Sequence, residues 1–209
     1  MNLFINMLST NPQQFFIWIF VVVFSICCHE YAHARVALWQ GDPTAADQGH
    51  LTLNPLKQMG LVSLIMLVFI GIAYGQVPVN NARLRYRYSA ALVSLAGPLT
   101  NFVLFILFAF ALVLADHVGA NAVTMALFSI GAVLNIVLFI FNMIPVPPLD
   151  GWGVLTGICP DISLHKSEFI KGVVLCVMLL IFIYFSYIFQ FAYTITGYTV
   201  NLIQHITGL

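Results

Sequence analysis

The chain alternates long apolar runs with short polar breaks, and the runs set the scale of its elements. Four of them, Phe15–Trp39, Ser89–Ala115, Asn121–Ile144 and Gly172–Phe191, reach the ~17–25 residues that a helix needs to cross a bilayer. A fifth, "GLVSLIMLVFIGIAYG" from Gly60 to Gly75, is short and bounded by glycine, and it predicts a segment that either spans or dips in and returns. Between the first run and this one lies "GDPTAADQGHLTLNPL". Its Asp-Pro and Gln-Gly pairs are turn signals, and "HLTL" alternates polar and apolar, so a short β-hairpin at the membrane edge is expected here. The pattern as a whole predicts an all-α membrane protein: a polytopic helical bundle of about four spans plus a re-entrant segment and the short hairpin. No internal repeat or low-complexity segment divides it, and residues 1–209 are expected to form a single integral-membrane domain.

Composition sharpens the class. Of the 209 residues 61% are hydrophobic and only 7% charged, and the mean hydropathy is +1.00. Seven Lys/Arg and seven Asp/Glu could not cover the surface of a soluble domain of this size. The lipid bilayer is therefore the expected environment. A formal net charge of zero and the lack of any basic run speak against nucleic acid as a partner. The cysteines Cys27, Cys28, Cys159 and Cys176 show no paired metal spacing and read as small apolar fillers. The opening segment has no Lys or Arg before its apolar run, and its one cleavage-like site, "AHA" at Ala32 to Ala34, cuts through a histidine cluster, so the N-terminal run is read as an uncleaved span.

The basic residues decide between the two readings of Gly60–Gly75. If that run spans, Arg35 and Lys57 lie on one side and Arg83, Arg85, Arg87, Lys166 and Lys171 on the other. If it re-enters, all seven lie on one side, and the N-terminal tail, the Asp116–Ala120 loop and the tail after Phe191 carry none. The positive-inside rule favours the second arrangement, with that side cytoplasmic and both termini outside. The implied location is the cell inner (plasma) membrane, multi-pass.

Chemistry enters at the end of the first run, in "ICCHEYAHARVALWQ". Residues four apart share a helix face, so His29 and His33 can present their rings to one ion with Glu30 beside them. This is the H-E-x-x-H arrangement of zinc hydrolases, and ionisable groups inside an apolar span are expensive unless something binds them. Catalytic zinc takes three protein ligands and keeps a place for water, whose pKa it lowers to about 7. In that role Glu30 is the general base that takes the proton of water and returns it to the leaving amine. The third ligand is sought in "FNMIPVPPLDGWG". There Pro145, Pro147 and Pro148 end a membrane helix, Asp150 follows, and Gly151 is free to turn. Irregular backbone at membrane depth survives only against protein or a watery cavity, which suits delivery of one carboxylate. The re-entrant topology also brings both pieces to the same cytoplasmic end.

With "HEYAH", "AGPLTN" and "NMIPVPPLDG" in hand, the chain resembles the site-2 protease family of intramembrane zinc metalloproteases, in particular the small bacterial group without an added PDZ or CBS domain. The resemblance covers roughly Phe16 to Gly153. It implies one Zn2+ per chain held by His29, His33 and Asp150, with Glu30 as catalytic base and Asn142 near the site, steadying substrate or the oxyanion. It also implies regulated intramembrane proteolysis, in which a transmembrane segment of another protein is cut near the cytoplasmic side. Two departures, "KQMGLVS" after "LTLNPL" and His50 before "LTL", leave the core motifs intact and bear on substrate preference. The rival class is a membrane metal-ion transporter with a His/Asp transit site, for which a relay of ligands and internal symmetry are expected.

Milder readings attach to the remaining polar residues. Gly97 and Pro98 are expected to let two helices approach closely, with Asn101 making an interhelical hydrogen bond. His50, His117, His165 and His205 read as surface or interface histidines. Arg83, Arg85 and Arg87 read as anchors to lipid headgroups. The tail from Tyr193 to Leu209 is expected on the outer interface.

Overall fold

A computed structural model describes residues 4–160 and 168–209. Among the described residues three helices are long and apolar enough to cross a membrane: α1 (Pro12–Trp39), α3 (Ser89–His117) and α4 (Ala122–Asn142). The short apolar helix α2 (Gly60–Ile70) lies between the first two. After α4 come α5 (Asp150–Ile158), α6 (Glu168–Ile183) and α7 (Phe185–Thr207). Counting the bent pair α6–α7 as one span gives up to four.

Sequence-local devices start and stop these helices. Asn11 caps α1 by accepting the Gln14 amide at 3.1 Å, with Pro12 in the first turn, where its missing N–H is harmless. Asn121 does the same for α4 through the Thr124 amide. Gly71, at φ 84°, ends α2 in the left-handed conformation that suits glycine.

Contacts fix the helix directions. Going down α1, Phe24 meets Phe108 of α3, His29 meets Asn101, and His33 meets the Val93 carbonyl, so α3 runs antiparallel to α1. The cluster of Ile17 and Val21 with Ile130 and Leu134, followed by Ser25 with Asn135, shows that α4 runs parallel to α1. The ends of α1 and α3 are tied directly: Ser89 Oγ donates to Gln40 Oε1 at 2.7 Å, and the Arg85 amide donates to the Gln40 carbonyl at 3.0 Å. Everything between Gln40 and Ser89 thus leaves and rejoins the bundle at one end.

Helix α2 has 11 residues, about 16 Å at 1.5 Å per residue, against a hydrocarbon core of about 30 Å. Beyond Gly71 the chain turns back. Ser63 Oγ exchanges hydrogen bonds with the Tyr74 amide and carbonyl, and the Gln76 amide reaches the Gln58 carbonyl at 3.0 Å. The return therefore runs antiparallel to the start of α2, from beside Ser63 to beside Gln58.

The hairpin and the unbroken last run are corrected here. Residues 41–56 hold no strand, and none occurs among the described residues. Thr44–Asp47 is one helical turn, and the "HLTL" stretch wraps around buried Gln58, whose amide donates to the carbonyls of His50 and Thr52. Those carbonyls are no longer free to pair with a second strand. The run Gly172–Phe191 is broken at Tyr184, and the pair on either side is bent by 55°. The tail from Tyr193 continues as α7 to Thr207, and its Val200 and Gln204 lie with Asp116 and Met125 near the turn between α3 and α4. That helix packs Ala192, Ile195, Val200 and Ile203 on the cluster formed by Phe105 and Ala109 of α3 and Ala132 to Val137 of α4. His165 and Lys166 lie outside the described residues.

Candidate metal centre

His29 and His33 stand one turn apart on α1 and are both buried, as the four-residue spacing requires. Each is oriented by a bond at Nδ1. His33 Nδ1 lies 2.7 Å from the Val93 carbonyl, an acceptor only, so the proton of the neutral ring sits on Nδ1 and the lone pair on Nε2. His29 Nδ1 lies 2.5 Å from Asn101 Oδ1. Asn101 therefore makes the interhelical bond expected of it, and its partner is a candidate metal ligand.

Asp150 is the first residue of α5. It is delivered by the proline-rich turn in which Val146 bonds back to Ile144, and Leu149 to Val146. Gly151 was expected to supply a turn. It is helical, with no positive φ, and is needed for another reason: a methyl there would fall within 3.0 Å of the Met143 and Ile144 carbonyls. Gly153 and Gly157 similarly admit Ser94 and Ala91 of α3, the small-residue spacing that lets two helices meet closely. Glycines thus draw the carboxylate against the two rings.

The three side chains converge. His29 Nε2 is 3.0 Å from Asp150 Oδ2, His33 Nε2 is 3.3 Å from Asp150 Oδ1, and the two Nε2 atoms are 3.0 Å apart. Ligand atoms of all three lie within 4.8 Å of one another. Two ring lone pairs and a carboxylate facing each other repel unless positive charge lies among them. Two atoms bound to a tetrahedral zinc at 2.0–2.1 Å stand about 3.3 Å apart. The spacing and the N, N, O donor set therefore fit one zinc ion.

The cluster opens onto a cavity of about 700 Å³. Glu30, buried beside the rings, lines it together with Ser94, Asn142 and the returning stretch Ala73–Val77. Asn142 is thus at the cavity wall, although its Nδ2 donates to the Leu138 carbonyl at 3.0 Å.

Several contributors escaped the sequence reading. A methyl on Gly97 would come within 3.0 Å of Nε2 of both His33 and His29, and one on Gly75 would overlap the Glu30 carboxylate. Gly97 was read as a helix-contact residue, and what it approaches is the metal centre itself. Asn135, a lone amide within "GAVLNIVLF", carried a signal in being polar at mid-span. Asp42, read only as part of a turn, is fully buried and holds the loop that flanks the cavity. The sequence Asp-Pro-Thr, in which Asp accepts from the residue two ahead, was its clue.

Comparison with known proteins agrees with this geometry. Residues 113–185 match the model of Peptidase family M50. The chain is 37% identical over 150 residues to the Bacillus subtilis protein named "Putative zinc metalloprotease YwhC", an alignment covering 68% of each chain. The chain belongs to peptidase family M50, the site-2 protease family. A second relative, "Putative zinc metalloprotease Rip2" of Mycolicibacterium smegmatis, is 37% identical over 138 residues, and this chain spans about half of its length (52%). Rip2 of Mycobacterium tuberculosis is 33% identical over 139 residues, with the same 52% covered. No solved structure matches. The family-model match contains Asn142 and Asp150 but not His29 or His33, so the two halves of the metal centre are joined by the fold.

Proposed function

We propose that this chain is an intramembrane zinc endopeptidase of one domain, which cuts a transmembrane segment of a substrate protein near the cytoplasmic side of the inner membrane. The observation that carries this reading is the convergence of His29 Nε2, His33 Nε2 and the Asp150 carboxylate at the wall of a cavity that also holds Glu30. Zinc in this site supplies Lewis acidity that brings the pKa of a bound water to about 7.

The chain's own groups do the rest. Glu30, set one residue from His29 and so about 100° around the helix, is offset from the ligand face and accepts the proton of the attacking water, then returns it to the leaving amine. Asn142, whose donor is held by Leu138, offers its side-chain oxygen to an N–H of bound substrate. A peptide bond in a helix is hidden by its own hydrogen bonds, so substrate must open locally before attack. The returning stretch Ala73–Val77, which lines the cavity with Gly75 against Glu30, offers the opened segment backbone groups for strand addition, in place of the "HLTL" stretch. The topology follows the same logic: segment 40–89 re-enters, and Arg35, Lys57, Arg83, Arg85 and Arg87 gather at the cytoplasmic end.

The test is zinc content together with cleavage of a model transmembrane substrate in detergent or vesicles, for wild type and Glu30→Gln. The expected result is about one zinc in both and a turnover about 100- to 10,000-fold lower in the variant. Wild-type turnover by zinc-loaded Glu30→Gln would overturn the mechanism. Metal flux through reconstituted protein with no peptide product would support the transporter reading in its place.

A further inference from the structure

His33 has its tautomer set by a backbone carbonyl, but His29 rests on a carboxamide, and a carboxamide is two-faced. If Asn101 presents Oδ1, the His29 proton sits on Nδ1 and Nε2 is left for the metal. If Asn101 presents Nδ2, the proton moves to Nε2 and the ligand is blocked. Something must hold Asn101 the right way round.

The buried chain of hydrogen bonds beyond it does so. Asn101 Nδ2 donates to Asn135 Oδ1 at 2.9 Å. Asn135 Nδ2 donates in turn to the Gly131 carbonyl and to Ser25 Oγ, each at 2.9 Å. Asn101, Asn135 and Ser25 are all fully buried, 0% exposed, so none can exchange its partner for water. The Gly131 carbonyl is the fixed point, since it can only accept. It requires Nδ2 of Asn135 on its side, which turns Oδ1 toward Asn101, which requires Nδ2 of Asn101 there, which leaves Oδ1 for His29. The direction of three hydrogen bonds in series is set by one backbone oxygen.

We propose that Asn135, whose side chain bonds Asn101, Ser25 and the Gly131 carbonyl rather than His29, His33 or Asp150, is a positioning residue that fixes the metal-binding tautomer of His29 through Asn101. The inference rests on the zinc reading of the site. It joins α1, α3 and α4: α1 supplies His29 and Ser25, α3 Asn101, and α4 Asn135 and the orienting carbonyl. It also accounts for an amide in the middle of an apolar helix, where a polar group is retained only with a partner. Outer partners of ligating histidines of this kind carry about 10- to 100-fold in metal affinity.

The decisive experiment uses two variants of the full chain and a zinc-chelator competition titration. Asn135→Leu keeps the volume and removes the fixed end of the relay, leaving Asn101 free to turn its donor toward His29. Zinc affinity should fall at least about tenfold. Adding Asn101→Asp to that variant replaces the two-faced amide with a carboxylate, which can only accept from Nδ1. Affinity should then return to within a few-fold of wild type. A packing role for Asn135 predicts no such rescue. Should Asn135→Leu not fold, as judged by thermal melting of the metal-free protein, Asn135→Ala takes its place in both arms. Unchanged affinity in the single variant, or a double variant no better than the single one, would overturn the assignment. Failure of the wild type itself to bind zinc would remove the metal reading and the relay together, so the two failures are told apart.

Discussion

At the scale of single residues, the candidate metal centre is held by what its neighbours cannot do. The Val93 carbonyl cannot donate, so His33 must. Gly97 cannot carry a side chain, so both rings may lie against α3. The second point predicts that Gly97→Ala, which by helix propensity alone stabilises α3 by up to about 1 kcal/mol, displaces both imidazoles. Zinc affinity should drop at least about tenfold while the helical circular dichroism of the metal-free protein is unchanged. Normal zinc binding by that variant would mean that the rings have room to spare. Asp150→Ala is the complementary cut. It removes one of three ligands and should abolish stoichiometric zinc and turnover together, in contrast to Glu30→Gln. Dialysis against a zinc chelator followed by metal analysis separates the two. His29, Glu30 and His33 were legible because a four-residue spacing fixes a common face in any helix. Gly97 and Asn135 were not, because their roles depend on which helix lies opposite, and spacing along one chain does not state that.

At the scale of elements, the segment between α1 and α3 is held by its ends. Asp42, just past α1, accepts from the Thr44 amide at 3.0 Å, from the Thr44 hydroxyl, and from the Asn80 amide at 2.6 Å. It thereby pins residues 77–81, which flank the cavity, to the end of the first span. Burial alone pushes the Asp42 carboxyl up. The bonds from Thr44 and Asn80, with the charge of Arg83, outweigh that and hold it below the ordinary carboxylate value. A depressed carboxyl contributes stability that is complete above its unfolded pKa, about 3.9, and is lost as pH falls through the lower folded value. Asp42→Asn turns a donor toward the Asn80 amide or leaves that amide unpaired, a cost of about 1–3 kcal/mol. Wild type should therefore melt above the variant at pH 5 to 8, and the gap should close in acid. A gap independent of pH down to 2 would exclude the charge as its cause. The same bonds explain why the hairpin was misread. Four alternating residues are a weak signal beside Gln58, Asn54 and Asp42, which bind the loop's backbone groups by side chain. In α7, the polar-looking tail conceals a face of Ala192, Ile195 and Ile203, and its Thr196 hydroxyl is satisfied by the Ala192 carbonyl.

At the scale of the molecule, chain direction and chemistry constrain one another. His29 and His33 lie in the second half of α1, and Asp150 follows α4, so the two helices must run the same way for the ligands to meet. An odd number of crossings must then lie between the two helices. Helix α3 and the turn after it return the chain once, and segment 40–89 must add no crossing of its own; the Gln40–Ser89 bond and the Gln58–Gln76 pairing are how it avoids one. The last prediction tests this with single cysteines at Gln48, Tyr86 and Val118 in a background lacking the four native cysteines. Gln48 is exposed, and Tyr86 and Val118 are 68% and 73% exposed. A membrane-impermeant maleimide applied to sealed vesicles of known orientation should label Gln48 and Tyr86 from the cytoplasmic side and Val118 from the opposite one. Tyr86 and Val118 fall on opposite sides in either topology, so the discriminating position is Gln48. Labelling of Gln48 together with Val118 would make Gly60–Gly75 a true span and set α1 and α4 in opposite directions. His29, His33 and Asp150 would then lie at opposite faces of the membrane, and no single metal ion could join them.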